Sequence, residues 1–164
     1  MDRLPLVSSI HDKQLAPMPA TMPPYTIEIA DRQACLPIDA GRIRSAVEGV
    51  LRGEGIESAE ISIAFVDDET IHDLNRRYLN HDDPTDVISF PLGDGDDVDG
   101  EIVVSTETAI RQADTLGHAA IDEVLLYVVH GVLHLVGYDD LAPDDAAEMR
   151  RREARYVDRA GRSP

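Results

Sequence analysis

Tryptophan is absent from this chain of 164 residues, cysteine occurs once, and aromatic residues make up only 4%. With Cys35 alone, no intrachain disulfide can form, which excludes the disulfide-stapled secreted domains and points to a reducing compartment. A lone cysteine of this kind is expected to be small buried filler. Positive charge is also scarce: 15 Lys and Arg face 32 Asp and Glu, a net charge of −17. A duplex-wrapping protein needs the opposite balance, because neutralising phosphates takes cations. DNA is therefore not an expected partner, and any meeting with RNA must be local. Long apolar runs are missing too. The longest apolar-rich stretch, Val124 to Val136, has 13 residues, short of the roughly 20 that span a bilayer. No signal-peptide core is present, so a cytoplasmic location without membrane contact is expected.

What is there suits one folded domain: 43% hydrophobic residues in a chain long enough to bury a core. Residues 1–24 hold five of the ten prolines and are expected to be a flexible leader, with a single domain over 25–160. Alternation in Tyr25–Ala30 predicts a strand, and so do Ile61, Ile63 and Phe65 two apart, Val87–Phe90 closed by Pro91, and Glu101–Ser105. Asp39 can cap a helix whose apolar face is Ile43, Ala46, Val47, Val50 and Leu51. Asp67 or Asp68 opens a short helix carrying Ile71, Leu74 and Tyr78. Three later helices are predicted over Thr106–Leu116, Ile121–Val136 and Pro143–Tyr156. The Asp/Gly run Gly93–Gly100 reads as a loop. Intermixed strands with helices clustered late give an α+β class.

Charge is unevenly spread. From Asp67 to Asp99 there are eleven acids against Arg76 and Arg77, whereas from Met149 onward six arginines face Glu153 and Asp158. Arg150, Arg151 and Arg155 are the candidate RNA-binding residues, the alternative being a solvated outer helix face.

Ten of the thirteen residues in Val124–Val136 are apolar, and the exceptions are His130, Gly131 and His134. A helix apolar nearly all round is buried, so its two imidazoles need partners. On a strand they would stand about 13 Å apart. On a helix the separation is about 6 Å, which suits convergence on one ion. Gly137 then offers a turn that brings Asp140 back toward the pair. Two His and one carboxylate leave a coordination position open, as in catalytic zinc sites. His130, His134 and Asp140 are thus the predicted ligands of one zinc ion per chain. Asp139 is the only nearby catalytic candidate, with orientation of a ligand histidine as its other possible role. The spacing is shared with the metzincin protease pattern HExxHxxGxxH, but its general-base glutamate would fall at Gly131.

His130-Gly-Val-Leu-His-Leu-Val-Gly-Tyr-Asp-Asp140 resembles HGxLHLxGYDH, the signature of the YbeY family of ribosomal RNA maturation endoribonucleases. A second block agrees: Leu74-Asn75, Tyr78 and Asp83–Pro91 are similar to LNxxYRxxDxPTDVLSFP. Met149, Glu153 and the strand Gly100–Ser105 also sit where that family has such elements. The resemblance spans Tyr25 to Val157. It implies a four-stranded mixed sheet packed with helices, one metal (commonly zinc), and single-strand-specific cleavage of RNA in 16S rRNA 3′-end maturation and ribosome quality control. Ribosomal RNA and ribosome-associated proteins are the implied partners. Two positions depart from the pattern: the third ligand is Asp140 rather than His, and Leu79 stands in place of an arginine, for which Arg76 or Arg77 could substitute. The rival readings are a ribosome-assembly factor with a structural metal and a metallopeptidase.

Overall fold

The alternation at the start of the domain becomes strand β1 (Tyr25–Asp31), and Asp39 caps helix α1 (Ala40–Gly53) by accepting the Arg42 N–H at 3.2 Å. The computed structural model describes residues 24–81, 85–93 and 97–161. Apart from Pro24, the expected leader lies outside the described residues, as do Asp83, Pro84 and Arg162. Strand β2 (Ala59–Val66) precedes helix α2 (Asp68–Leu79), whose N-cap Asp67 accepts the Thr70 N–H at 2.8 Å. Strands β3 (Val87–Pro91) and β4 (Val98–Ser105) follow, then α3 (Thr106–Leu116), α4 (Ala120–Val136) and α5 (Pro143–Gly161).

The four strands form one mixed sheet in the order β1-β2-β4-β3. β1, β2 and β4 run parallel, and β3 pairs antiparallel with β4 from Val87↔Val104 to Pro91↔Gly100. Pro91 is tolerated because β3 is an edge strand with no partner needed on its outer side. Period-two alternation divides the sheet's side chains between two layers. Ile27, Ile61, Ile63, Ile102 and Val104 join the larger core with α1, α4 and α5. Ala64, Val66, Ile88 and Val103 face the other way, onto Ile71 and Leu74 of α2.

β1 and β3 each run one residue past the expectation, to Asp31 and Pro91, and three other boundaries differ as well. β4 opens at Val98 rather than Glu101, because Val98, Asp99 and Gly100 pair with Ala59, Glu60 and Ile61. That ladder overrides the poor strand propensity of Asp and Gly. α5 runs past Tyr156 to Gly161 because Tyr156, Val157 and Ala160 pack on the core. α4 starts one residue early, at Ala120. A larger correction concerns Cys35, which is exposed rather than buried. It lies in the β1–α1 loop, where Gln33 Oε1 accepts the N–H groups of both Cys35 and Leu36 at 2.9 Å and holds the turn at the surface. Among the described residues, no single helix is long and apolar enough to cross a membrane.

Candidate metal centre

Helix α4 is the axis of the site. Val124, Leu125, Val128, Val129, Val132 and Leu133 are fully buried, so the helix is gripped on nearly every side and its two histidines have little freedom. The helical reading of this segment, rather than the strand, therefore holds. His130 and His134 fall one turn apart with their rings edge to face, centroids 4.6 Å apart. Gly131, between them, lies hard against the sheet. A Cβ there would meet Ile102 Cγ2 at 2.9 Å and Ser89 Oγ at 3.1 Å. Nothing as large as the glutamate of a metzincin fits at this position.

Gly137 ends the helix at φ 125°, a conformation that favours glycine, and its N–H bonds back to the carbonyls of Leu133 and His134. The chain turns, and Asp140 faces the histidines. His130 Nε2 lies 3.0 Å from His134 Nε2, and Asp140 Oδ2 and Oδ1 lie 3.5 Å from the two nitrogens respectively. Ligands held at 2.0–2.1 Å by a tetrahedral ion are separated by about 3.4 Å. The three observed distances bracket that value.

The donor chemistry fits a cation as well. Nδ1–H of His130 donates to Glu153 on α5. In the neutral ring this leaves a lone pair on Nε2, aimed at a carboxylate and at a second imidazole nitrogen. Three lone-pair donors facing one another need a positive charge among them. Burial works against protonation of His130, but the hydrogen bond and charge of Glu153, with Asp140 behind, more than offset it. The imidazole pKa is held above its usual value as a result.

Of the other residues singled out in the sequence, Asp139 turns away from this work. Its Oδ1 accepts the Asp140 N–H at 2.7 Å and so shapes the ligand loop. The orienting position that sequence reasoning offered to Asp139 is filled by Glu153. In the sequence Glu153 stood out only through the family resemblance, beside Met149, with no role attached.

A second network, unforeseen in the sequence, pins the loop from outside. Glu54, at the end of α1, accepts from Tyr138 at 2.6 Å, from Arg152 at 2.7 Å and from Tyr156. Arg152 also lies over the Tyr138 ring, 4.6 Å from its centroid. Burial pushes the Glu54 carboxyl up, yet these donors outweigh it and leave the group below the usual carboxylate value.

The arginines of α5 divide by environment. Arg150 lines a cavity of about 300 Å³ together with His130, Asp140, Glu153, Asp86 and Tyr127. Arg151 and Arg155 line an adjoining groove rather than the centre itself. Arg76 and Arg77 both pair with Asp73, at 2.7 and 3.2 Å, and line neither cavity at the histidines. Leu79 lines a second cleft at the histidine pair, with Ile88, Pro91 and Leu135. His81 is exposed, and His118 pairs with Glu123 at 2.9 Å.

Comparison with known proteins gives a consistent picture. The family model described as Endoribonuclease YbeY matches residues 28–161. The protein named Endoribonuclease YbeY from Pelotomaculum thermopropionicum is 43% identical over 128 residues, covering 73% of this chain and 84% of that protein. Its counterpart from Rhodopirellula baltica is 43% identical over 122 residues, and there the match spans 63% of the relative's length. The solution structure of TM1509 from Thermotoga maritima aligns with a TM-score of 0.61 at 27% identity, covering 82% of this chain and 89% of that one.

Proposed function

Since the chain belongs to the endoribonuclease YbeY family, we propose that it is a metal-dependent endoribonuclease that cleaves single-stranded RNA, with His130, His134 and Asp140 holding one zinc ion. The observation that carries this is the convergence of three ligand atoms, all within 4.8 Å of one another, beside a cavity that has a cation on its wall. A divalent ion bound there supplies Lewis-acid polarisation of a phosphoryl oxygen and a water acidified toward neutrality. The chain's own residues do the rest. Glu153 keeps His130 in the tautomer that presents Nε2, Asp139 shapes the ligand loop, and Arg150 offers a guanidinium for a phosphate.

The proposal extends to ribosomal RNA as the substrate, 16S rRNA 3′-end maturation and ribosome quality control as the process, ribosome-associated proteins as partners and the cytoplasm as the compartment, a reading supported by the family resemblance. The peptidase reading loses its support at Gly131, where the space for a general base is already filled by Ile102 and Ser89.

The test uses protein purified without a tag, stripped with chelator and reloaded with zinc. Loaded protein should cut a single-stranded oligoribonucleotide and spare the same sequence in a duplex, and His130→Ala prepared in parallel should be inactive. Equal cleavage by the stripped protein and by His130→Ala would mark a contaminating nuclease and remove the basis for the assignment.

A further inference from the structure

Three cavities adjoin in series around α4 and α5, each sharing lining residues with the next. The cleft at Leu79, about 330 Å³, is walled by Leu79, Ile88, Pro91 and Leu135 together with Ser89 and His134, and it shares Val87 and His130 with the cavity at the metal centre. That cavity shares Leu126, Arg150 and Glu153 with a groove of about 1050 Å³ running along α5 past Arg151 and Arg155. The triad therefore sits between a cleft whose described walls hold neither carboxylate nor guanidinium and a groove lined by Arg150, Arg151 and Arg155.

Charge along the groove is less balanced than its composition suggests. The acids on its walls already have partners: Asp122 lies 3.8 Å from Arg42, Glu123 accepts from His118 at 2.9 Å, Glu153 accepts from His130, and Asp158 is also engaged. Arg151 is committed to Glu148 at 2.7 Å. By contrast, no carboxylate among the described residues pairs with Arg150, which is exposed and lines both cavities. Arg155 is likewise exposed and lies over the Tyr156 ring. Five residues apart on α5, the two guanidinium-bearing positions are about 7.5 Å apart along the helix axis. At the other end, the cleft's described walls carry no carboxylate or guanidinium, and Ser89 is occupied with the Gly131 carbonyl at 3.2 Å. A phosphate gains nothing there, whereas the face of an unpaired base does.

We infer that these three cavities form one trough that holds a single RNA strand across the metal centre, with phosphates on Arg150 and Arg155 and an unpaired base against Leu79, Pro91 and Leu135. The inference rests on the endoribonuclease reading above and adds to it a binding track on both sides of the cleaved bond. It also accounts for how a chain of net charge −17 meets RNA: its field repels phosphate generally, and Arg150 and Arg155 beside the metal centre attract it locally. A duplex cannot turn a base face into the cleft at Leu79, so single-strand preference follows from the trough itself.

The experiment measures fluorescence anisotropy of labelled 2′-O-methyl oligouridylates, a trinucleotide and a dodecanucleotide, on zinc-loaded protein over a range of KCl concentrations. Arg150→Gln should weaken both oligomers about tenfold and lower the salt slope by about one. Arg155→Gln should weaken the dodecanucleotide and leave the trinucleotide unchanged, and Leu79→Asp should weaken both. Arg52→Gln, on α1 and outside the linings of all three cavities, should match the parent. If both arginine variants keep parental affinity and slope, or if the parent fails to bind the dodecanucleotide more tightly than the trinucleotide, the trough is not the binding track. Cleavage of unmodified oligouridylate is followed in parallel. Arginine-dependent binding without any cleavage would overturn the nuclease reading and leave the track standing.

Discussion

Glu153 on α5 accepts the Nδ1–H of His130 on α4, across 23 residues of sequence. This contact fixes which nitrogen faces Asp140, so metal affinity is tied to a residue that lies outside the HxxxH…D pattern. Glu153→Gln keeps the size of the side chain but removes its charge and its obligate acceptor character. Zinc affinity should fall about 10–100-fold, read by competition with a chromophoric chelator, while the far-ultraviolet dichroism stays parental. Unchanged affinity would mean that the helix, gripped as it is, orients His130 without help.

Asp140 should behave as a full ligand. Its carboxylate oxygens stand 3.5 Å from both imidazole nitrogens, and zinc takes Asp oxygen at about 2.0–2.2 Å much as it takes His nitrogen. Asp140→Ala should lose most zinc affinity, as His130→Ala would, and Asp140→His should retain it. The same chelator titration ranks the variants. An Asp140→Ala protein that binds zinc like the parent would place the third ligand elsewhere, with Asp139 the nearest alternative.

The parts of this site that were legible in the sequence are those set by short-range periodicity. The one-turn spacing of His130 and His134, the glycine stop at 137 and the capping aspartates at 39 and 67 all depend on neighbours within a few residues. Glu153 and Glu54 were not legible as functional, because their partners lie 23 and 84 to 102 residues away and are brought near only by packing of α5 on α4 and α1. Strand order is hidden for the same reason: the position of β4 between β2 and β3 is a property of pairing, not of any one strand. Cys35 shows the reverse error. Its residue type suggested burial, but the surface turn built by Gln33 decided its place.

Gly131→Ala tests how closely the metal helix presses on the sheet. The added methyl would approach Ile102 Cγ2 at 2.9 Å and Ser89 Oγ at 3.1 Å, closer than such contacts ordinarily come. Overpacking typically costs about 1–3 kcal/mol, while replacing a helical glycine returns at most about 1 kcal/mol. The net should be a loss of about 1 kcal/mol, seen as a fall in Tm of about 2–4 °C. Zinc affinity should drop with it, because the helix must lift away from β4 to make room. A variant more stable than the parent would show that Ile102 and Ser89 yield without cost.

The last prediction concerns acid. Glu54 is buried at the junction of α1, α5 and the ligand loop, where Tyr138, Tyr156 and Arg152 hold its carboxyl below its ordinary value of 4.5. A group depressed in the folded state contributes stability that is fully present above its unfolded pKa and is lost as pH falls through its folded pKa. The contribution of Glu54 should therefore be intact at neutral pH, begin to fall near pH 4.5 and be lost only as pH drops through the lower folded value. Glu54→Gln removes the charge that Arg152 answers but leaves an oxygen for the tyrosines, so the expected cost at pH 7 is about 1–3 kcal/mol. Urea unfolding of both proteins across pH gives the check. The stability gap between parent and variant should be constant above pH 5 or so and shrink steadily below about 4.5, the unfolded value from which the linkage begins. A gap that widens toward acid would have the wrong sign for a depressed carboxyl. It would mean that Glu54 is bound more tightly protonated than ionised, and that Arg152 does not stabilise its charge.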